Sequence, residues 1–179
     1  MVTIALYNLK GGVGKTAATI NLAYLAAKEG YKTLIWDMDP QGSSSFYLGA
    51  SAATKNESKK LLNSEMELLD AVQSTAYANL DIIPADLSAR HADILLSEMK
   101  QSKKKISTLL ATLKKEYEVV ILDCPPGISL LHDAIFTGVD WVLMPNIPTT
   151  LSIRSFKTVA AYFKENGLDK TKLKCFFSM

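Results

Sequence analysis

The sequence predicts an α/β fold in which a mostly parallel, twisted sheet is covered by helices on both faces. Three observations carry that expectation. Short apolar runs alternate with helix-like stretches along the whole chain. The runs are continuously apolar instead of strictly alternating, which is the pattern of strands buried on both faces. A glycine-rich turn joins the first run to the first helix, making a strand, loop, helix, strand unit.

In chain order, VTIALYN (2–8) is the first strand. Residues 15–29 carry Ala, Leu and Ile at helical spacing and stop at Gly30, a C′ residue that tolerates positive φ. KTLIWD (32–37) is the second strand, and residues 49–64, small, polar and charged, read as a mobile surface loop. LDIIPA (80–85) is the next strand. Ile106, Leu109, Leu110 and Leu113 fall on one face of a helix over 106–113. The run Lys103 to Lys105 is unfavourable at a helix N-terminus, so that helix starts earlier or the run is a hinge after Ser102. EVVILD (118–123) and WVLMP (141–145) are two further strands, followed by a helix on which Ile153, Phe156, Ala160 and Phe163 form a core-facing stripe and Arg154, Lys157 and Lys164 an outer one. LKCFFSM (173–179) reads as a buried parallel strand. Such a strand needs cover, which implies either a longer natural chain truncated here at its C-terminus or a partner on that edge.

With 179 residues and 48% hydrophobic content, one domain spanning 1–179 is expected. The apolar runs are far shorter than a membrane span, and residues 1–8 enter a strand directly, so a cytoplasmic protein is expected. Cys124 and Cys175 fit no metal spacing and no disulfide framework. Neither suits catalysis, and the isolated His91 and His132 take structural or surface roles. The net charge of +2 is too small to argue for nucleic acid. Residues 151–179 nevertheless hold 6 Lys/Arg against 2 Asp/Glu, a modest basic bias.

The chemistry concentrates in NLKGGVGKTAAT (8–19). Gly11, Gly12 and Gly14 let successive backbone N–H groups turn inward as an anion-binding nest, and the helix starting near Lys15 adds its positive end. Lys15 would reach β- and γ-phosphates and the Thr16 hydroxyl would ligate Mg²⁺, with Val13 and Ala17 completing the nucleotide loop. The usual spelling places a glycine where this chain has Leu9, followed by Lys10. Lys10 at the start of the loop can point away from its own nucleotide and reach the phosphates of a second subunit.

NLKGGVGKTAATINLA resembles the deviant Walker A loop, x-K-G-G-x-x-K-[ST], of the ParA/MinD family of P-loop ATPases, and more particularly its ParA/Soj-like partition branch. In that family two ATP-loaded subunits face each other and the signature lysine contacts the partner's nucleotide; the resemblance gives Lys10 that role. DMDPQGSSS (37–45) is similar to the branch's D-x-D-P-Q-G segment. A carboxylate there can hold a water in line with the γ-phosphorus. Asp39 is the candidate for that work and for the metal shell; Asp37 supports the loop or reaches Mg²⁺ through water. EVVILDCPPG (118–127) ends in Asp123, where a Walker B carboxylate would bind the magnesium shell, and Pro125-Pro126-Gly127 resembles the family's second switch.

The resemblance implies a weak, Mg²⁺-dependent, partner-stimulated ATPase that dimerises with ATP and acts in DNA partition or cargo positioning. It also implies a ParB-like activator and nonspecific DNA contact with nucleoid association; no amphipathic helix of the MinD kind is seen in these residues, so no membrane role is expected of them. The catalytic candidates are Lys10, Lys15 and Asp39; the metal candidates are Thr16, Asp39 and Asp123. The alternative is an ATP-dependent synthetase of the cobyrinic acid a,c-diamide synthase type. A nitrogenase-iron-protein-like ATPase would need cluster cysteines that these two do not supply.

Overall fold

The computed structural model describes residues 1–51, 57–63 and 67–178. Its elements run β1 (Val2–Leu6), α1 (Lys15–Lys28), β2 (Thr33–Asp37), α2 (Ser43–Tyr47), α3 (Glu57–Leu62), β3 (Gln73–Ser74), β4 (Leu80–Ile83), α4 (Ala92–Ser97), α5 (Lys105–Thr112), β5 (Val119–Asp123), α6 (Leu130–Gly138), β6 (Trp141–Asn146), α7 (Thr150–Glu165) and β7 (Leu173–Phe177). The strands form one seven-stranded sheet in the order β3-β4-β2-β5-β1-β6-β7, parallel throughout except for the β3–β4 pair.

Alternation along each central strand feeds two separate cores. Ala5, Leu34, Trp36, Val120 and Leu122 join the larger one with residues of α3 to α7. Leu6, Ile35, Ile82 and Ile121 point the other way and meet Ala23 and Ala27 of α1. Side chains in a strand alternate between faces, so covering both faces removes the polar half of the pattern. That is why these strands read as unbroken apolar runs.

Two expectations need correction and two are made more definite. Within the stretch read as a surface loop, α3 is a helix whose Leu61 and Leu62 are buried in the larger core; residues 52–56 and 64–66 lie outside the described residues. On α7, Phe163 is buried and Phe156 and Ala160 pack against the larger core as expected, but Ile153 is exposed, and Ser152, Ser155 and Val159 are buried beside Phe163. Ser155 is inward because its hydroxyl donates to Asn8 Oδ1 at 3.1 Å, a polar contact that apolar periodicity cannot reveal. β7 pairs with β6 on one side, and past Leu173 its residues are exposed among the described residues, so this edge is the one whose composition calls for cover. The lysine run takes the first of its two expected forms, since helical structure starts before Ile106: Ser102–Lys104 forms a 3₁₀ turn that leads directly into α5 at Lys105.

Helices α5 and α6 approach closely at Gly138. A Cβ added there would sit 2.9 Å from the Ser107 backbone nitrogen and 3.3 Å from its Cα. Backbone atoms cannot rotate away, so the helices would have to separate. Gly138→Ala is expected to cost about 1–3 kcal/mol, read as a lower urea midpoint with an unchanged slope.

Candidate functional site

The phosphate loop is set up by a buried amide. Asn8 donates from Nδ2 to the Pro145 carbonyl at 2.8 Å and to Asn146 Oδ1 at 3.2 Å, and its Oδ1 accepts from the Lys10 N–H at 3.1 Å as well as from Ser155. One side chain thus joins the exit of β1 to β6 and α7 and fixes where the loop begins. Gly12 and Gly14 take φ of +73° and +90°, a region that L side chains rarely enter. Gly14 occupies the N-cap of α1 and offers no side-chain acceptor, so the first amides of the helix are left for an anion. Lys15 is buried, and its Nζ donates to the Lys10 carbonyl at 3.2 Å, which folds it back along the loop.

The carboxylates come together through strand register. Asp123 pairs with Leu6 of β1 on one side and with Asp37 of β2 on the other. Asp37 Oδ2 accepts from Ser45 N–H at 2.8 Å and Ser45 Oγ at 2.7 Å, and Asp37 Oδ1 accepts from Asp39 N–H at 3.3 Å. Burial nevertheless pushes its pKa up to about 6, against the pull of those hydrogen bonds. Asp123 Oδ2 accepts from Ser44 Oγ at 2.7 Å, while its Oδ1 is buried without a partner. Burial raises this carboxyl as well, with the charge of Asp39 adding to it; the Ser44 hydrogen bond, the nearby Thr16 hydroxyl and the charge of Lys15 oppose the shift. Asp39 is half-buried at the turn, its Oδ1 accepting from Gln41 N–H at 3.0 Å.

An orphaned carboxylate oxygen beside the Thr16 hydroxyl is a donor set that fits Mg²⁺, a hard cation that takes one or two carboxylates and completes its shell with water and phosphate. Among the described residues no cluster of three or more His, Cys, Asp or Glu could hold a metal on its own.

Gly11, Gly12, Gly14, Lys15, Thr16 and Ala17 form one wall of a cleft of about 800 Å³, and Asp39, Pro40, Gln41, Pro125 and Pro126 contribute to the rest. Val13 is buried under the loop, and Asp37 and Asp123 lie beneath the cleft, tied to α2 by Ser45 and Ser44. Lys10 is not among the lining residues. Cys124 is fully buried. The sequence reading did not single out Asn8, Ser44, Ser45 or Arg90. The serines follow Gly42, which takes φ +64°, and a turn glycine before three serines is a helix-start signal that could have found them. Nothing in the sequence marks Arg90, which reaches the cleft from the segment after β4.

A glycine loop between a strand and a helix, with carboxylates at the carboxyl ends of the adjoining strands of an open parallel sheet, defines a P-loop nucleotide-binding protein. A family model described as an AAA domain, AAA_31, matches residues 1–174. The sporulation initiation inhibitor protein Soj of Bacillus subtilis is 34% identical over 143 residues, which cover 79% of this chain and 56% of Soj. The chain belongs to the ParA/Soj family of AAA_31 P-loop ATPases. It spans about half the length of the curated relatives it matches. Among solved structures, an ATP complex of an McdA variant from Cyanothece superposes with a TM-score of 0.83 at 26% identity, covering 93% of this chain and 65% of that one. Cobyrinic acid a,c-diamide synthase from Mycobacterium smegmatis with ADP and magnesium gives 0.86 at 25% identity, covering 98% and 72%.

Ser45 Oγ donates to Asp37 and accepts from the Ala85 N–H at 2.8 Å. Ser45→Ala leaves both short of a partner, and a loss of about 1–3 kcal/mol is expected in chemical denaturation.

Proposed function

We propose that this chain is the ATPase domain of a partition-type dimerisation switch: ATP closes two subunits face to face, and slow Mg²⁺-dependent hydrolysis releases them. The observation that carries the reading is the loop Lys10 to Thr16, in which a second lysine stands before the glycines and outside the cleft wall. Kinship with Soj, and with ParA of Caulobacter vibrioides at 33% identity, supports the same reading.

The loop amides and Lys15 bind the β- and γ-phosphates. Asp39 orients the attacking water in line with the γ-phosphorus, so that its work is positioning. Magnesium, when bound, neutralises charge developing on the phosphate oxygens; Thr16 and Asp123 would hold it, with Asp39 at the edge of its shell and Asp37 supporting the turn. Lys10 acts in trans on the partner's triphosphate. The partners of this reading are a second copy, a ParB-like activator and nonspecific DNA, in the cytoplasm and on the nucleoid. No helix of the described residues is long and apolar enough to cross a membrane. The match to the diamide synthase keeps a second reading in view, a synthetase coupling ATP to a small carboxylic acid.

Lys15→Ala is expected to abolish nucleotide-dependent assembly in light scattering, whereas Asp39→Ala should leave an ATP-bound dimer that persists; a monomeric Asp39 variant in ATP rules out its assigned role. Lys10→Ala should still bind a nucleotide analogue but lose roughly 10³-fold or more of its turnover, by the scale of cations supplied in trans. Turnover raised by nonspecific DNA favours the switch. Turnover that ignores DNA and requires a small carboxylate favours the synthetase.

A further inference from the structure

The turn that follows Asp123 is held from behind by two buried side chains that the phosphate chemistry does not use. Pro125 and Pro126 line the cleft. Their neighbouring carbonyls face the protein interior: the Tyr7 hydroxyl donates to the Gly127 carbonyl at 2.7 Å, and His132 Nε2 lies 3.0 Å from the Pro125 carbonyl. A carbonyl only accepts, so Nε2 carries the proton, and Nδ1 in the neutral ring accepts from the Ser129 hydroxyl at 2.9 Å. Burial lowers the imidazole pKa, in agreement with that neutral tautomer. Tyr7 is fully buried and His132 nearly so, with ring centroids 5.2 Å apart, and Tyr7 also packs edge-on against Phe136 at 4.8 Å.

The rest of the turn is poorly anchored. Two prolines donate no N–H, and Gly127 takes φ +102°. Ser129 stands at the N-cap of α6 yet makes no capping bond, because its hydroxyl is directed to His132. Tyr7 itself lies between β1 and Asn8, whose Oδ1 fixes the Lys10 amide. The hydroxyl of Tyr7 therefore links the entry of the phosphate loop directly to the opposite wall of the cleft.

We propose that Tyr7 and His132 are positioning residues that hold the 125–127 turn against the cleft and couple it to the phosphate loop, so that hydrolysis depends on them more than nucleotide binding does. This rests on the ATPase reading above. The phosphate loop binds nucleotide with its own amides, whereas Asp123 and the turn, two residues apart, move together when the tether is lost.

Tyr7→Phe keeps the ring and removes only the hydroxyl. His132→Leu removes the donor, and His132→Gln restores an amide N–H that can reach the Pro125 carbonyl. Hydrogen exchange over residues 127–131, affinity for a nonhydrolysable ATP analogue and ATP turnover are measured on each. The expected result is roughly tenfold faster exchange and tenfold lower turnover in Tyr7→Phe and His132→Leu, with analogue affinity within about twofold, and near-parental behaviour in His132→Gln. Unchanged exchange in both deletion variants overturns the tether. Affinity falling as far as turnover overturns the positioning role, since the turn would then serve binding. A parent chain that turns over no ATP under any condition defeats the ATPase reading instead, and exchange alone then decides the tether.

Discussion

The placement of β5 between β1 and β2 is the constraint on which the rest of the molecule depends. In a parallel sheet all carboxyl ends point the same way, so whatever follows adjacent strands must meet. Here the phosphate loop leaves β1, the Asp37 to Asp39 turn leaves β2, and Asp123 ends β5 in register with Leu6 and Asp37. Residues 86 to 117 positions apart in sequence become neighbours through strand register alone. The two cores enforce the arrangement, because a one-residue slip of β5 would send Ile121 to the face that now takes Val120 and Leu122.

That geometry has an electrostatic cost. Register pairing sets Asp37 and Asp123 side by side in the interior, where burial raises both carboxyls, and the charge of Asp123 adds to the shift of Asp37 as that of Asp39 adds to the shift of Asp123. A core optimised for stability alone would not hold two such carboxyls with one oxygen unpartnered. Ser44 and Ser45 supply partial compensation from α2, and Lys15 supplies charge. What is left over is an unpartnered carboxylate oxygen at the end of β5, the atom that the proposed magnesium shell would take up.

Legibility in the sequence followed the kind of force involved. Strands β1, β2, β4, β5 and β6 were readable because burial on both faces leaves an unbroken apolar run, and α1 because Gly14 and Gly30 bracket it. The phosphate loop was readable because its backbone geometry can be met by few residues. Short or polar elements were not. β3 is Gln73–Ser74, two residues paired at an edge, and α2 is SSSFY, whose buried Ser44 and Ser45 are inward for hydrogen bonds. The same reason shifted the reading of α7, where Phe156, Ala160 and Phe163 do pack on the core but Ser155 faces Asn8 and Ile153 faces outward. Hydrophobic periodicity reports only the apolar part of an interior, and around a phosphate site much of the interior is polar.

Gly14 shows how far that polar interior reaches. Its φ of +90° is what calls for glycine; the neighbour above it is the Ser178 hydroxyl, which would lie 2.6 Å from an added Cβ and would have to rotate aside. Ser178 is held by its own N–H to the Asn146 carbonyl at 2.9 Å, and Asn146 Oδ1 in turn accepts from Asn8. Asn8 Oδ1 closes the circuit on the Lys10 amide. The end of β7, distant in sequence and exposed along most of its length, is therefore joined through two asparagines to the start of the loop it packs against. A disturbance at that sheet edge would reach the nucleotide loop through hydrogen bonds at Asn146 and Asn8 and by direct contact at Gly14, which makes the phosphate site a property of the β1–β6–β7 half of the sheet as much as of the loop motif.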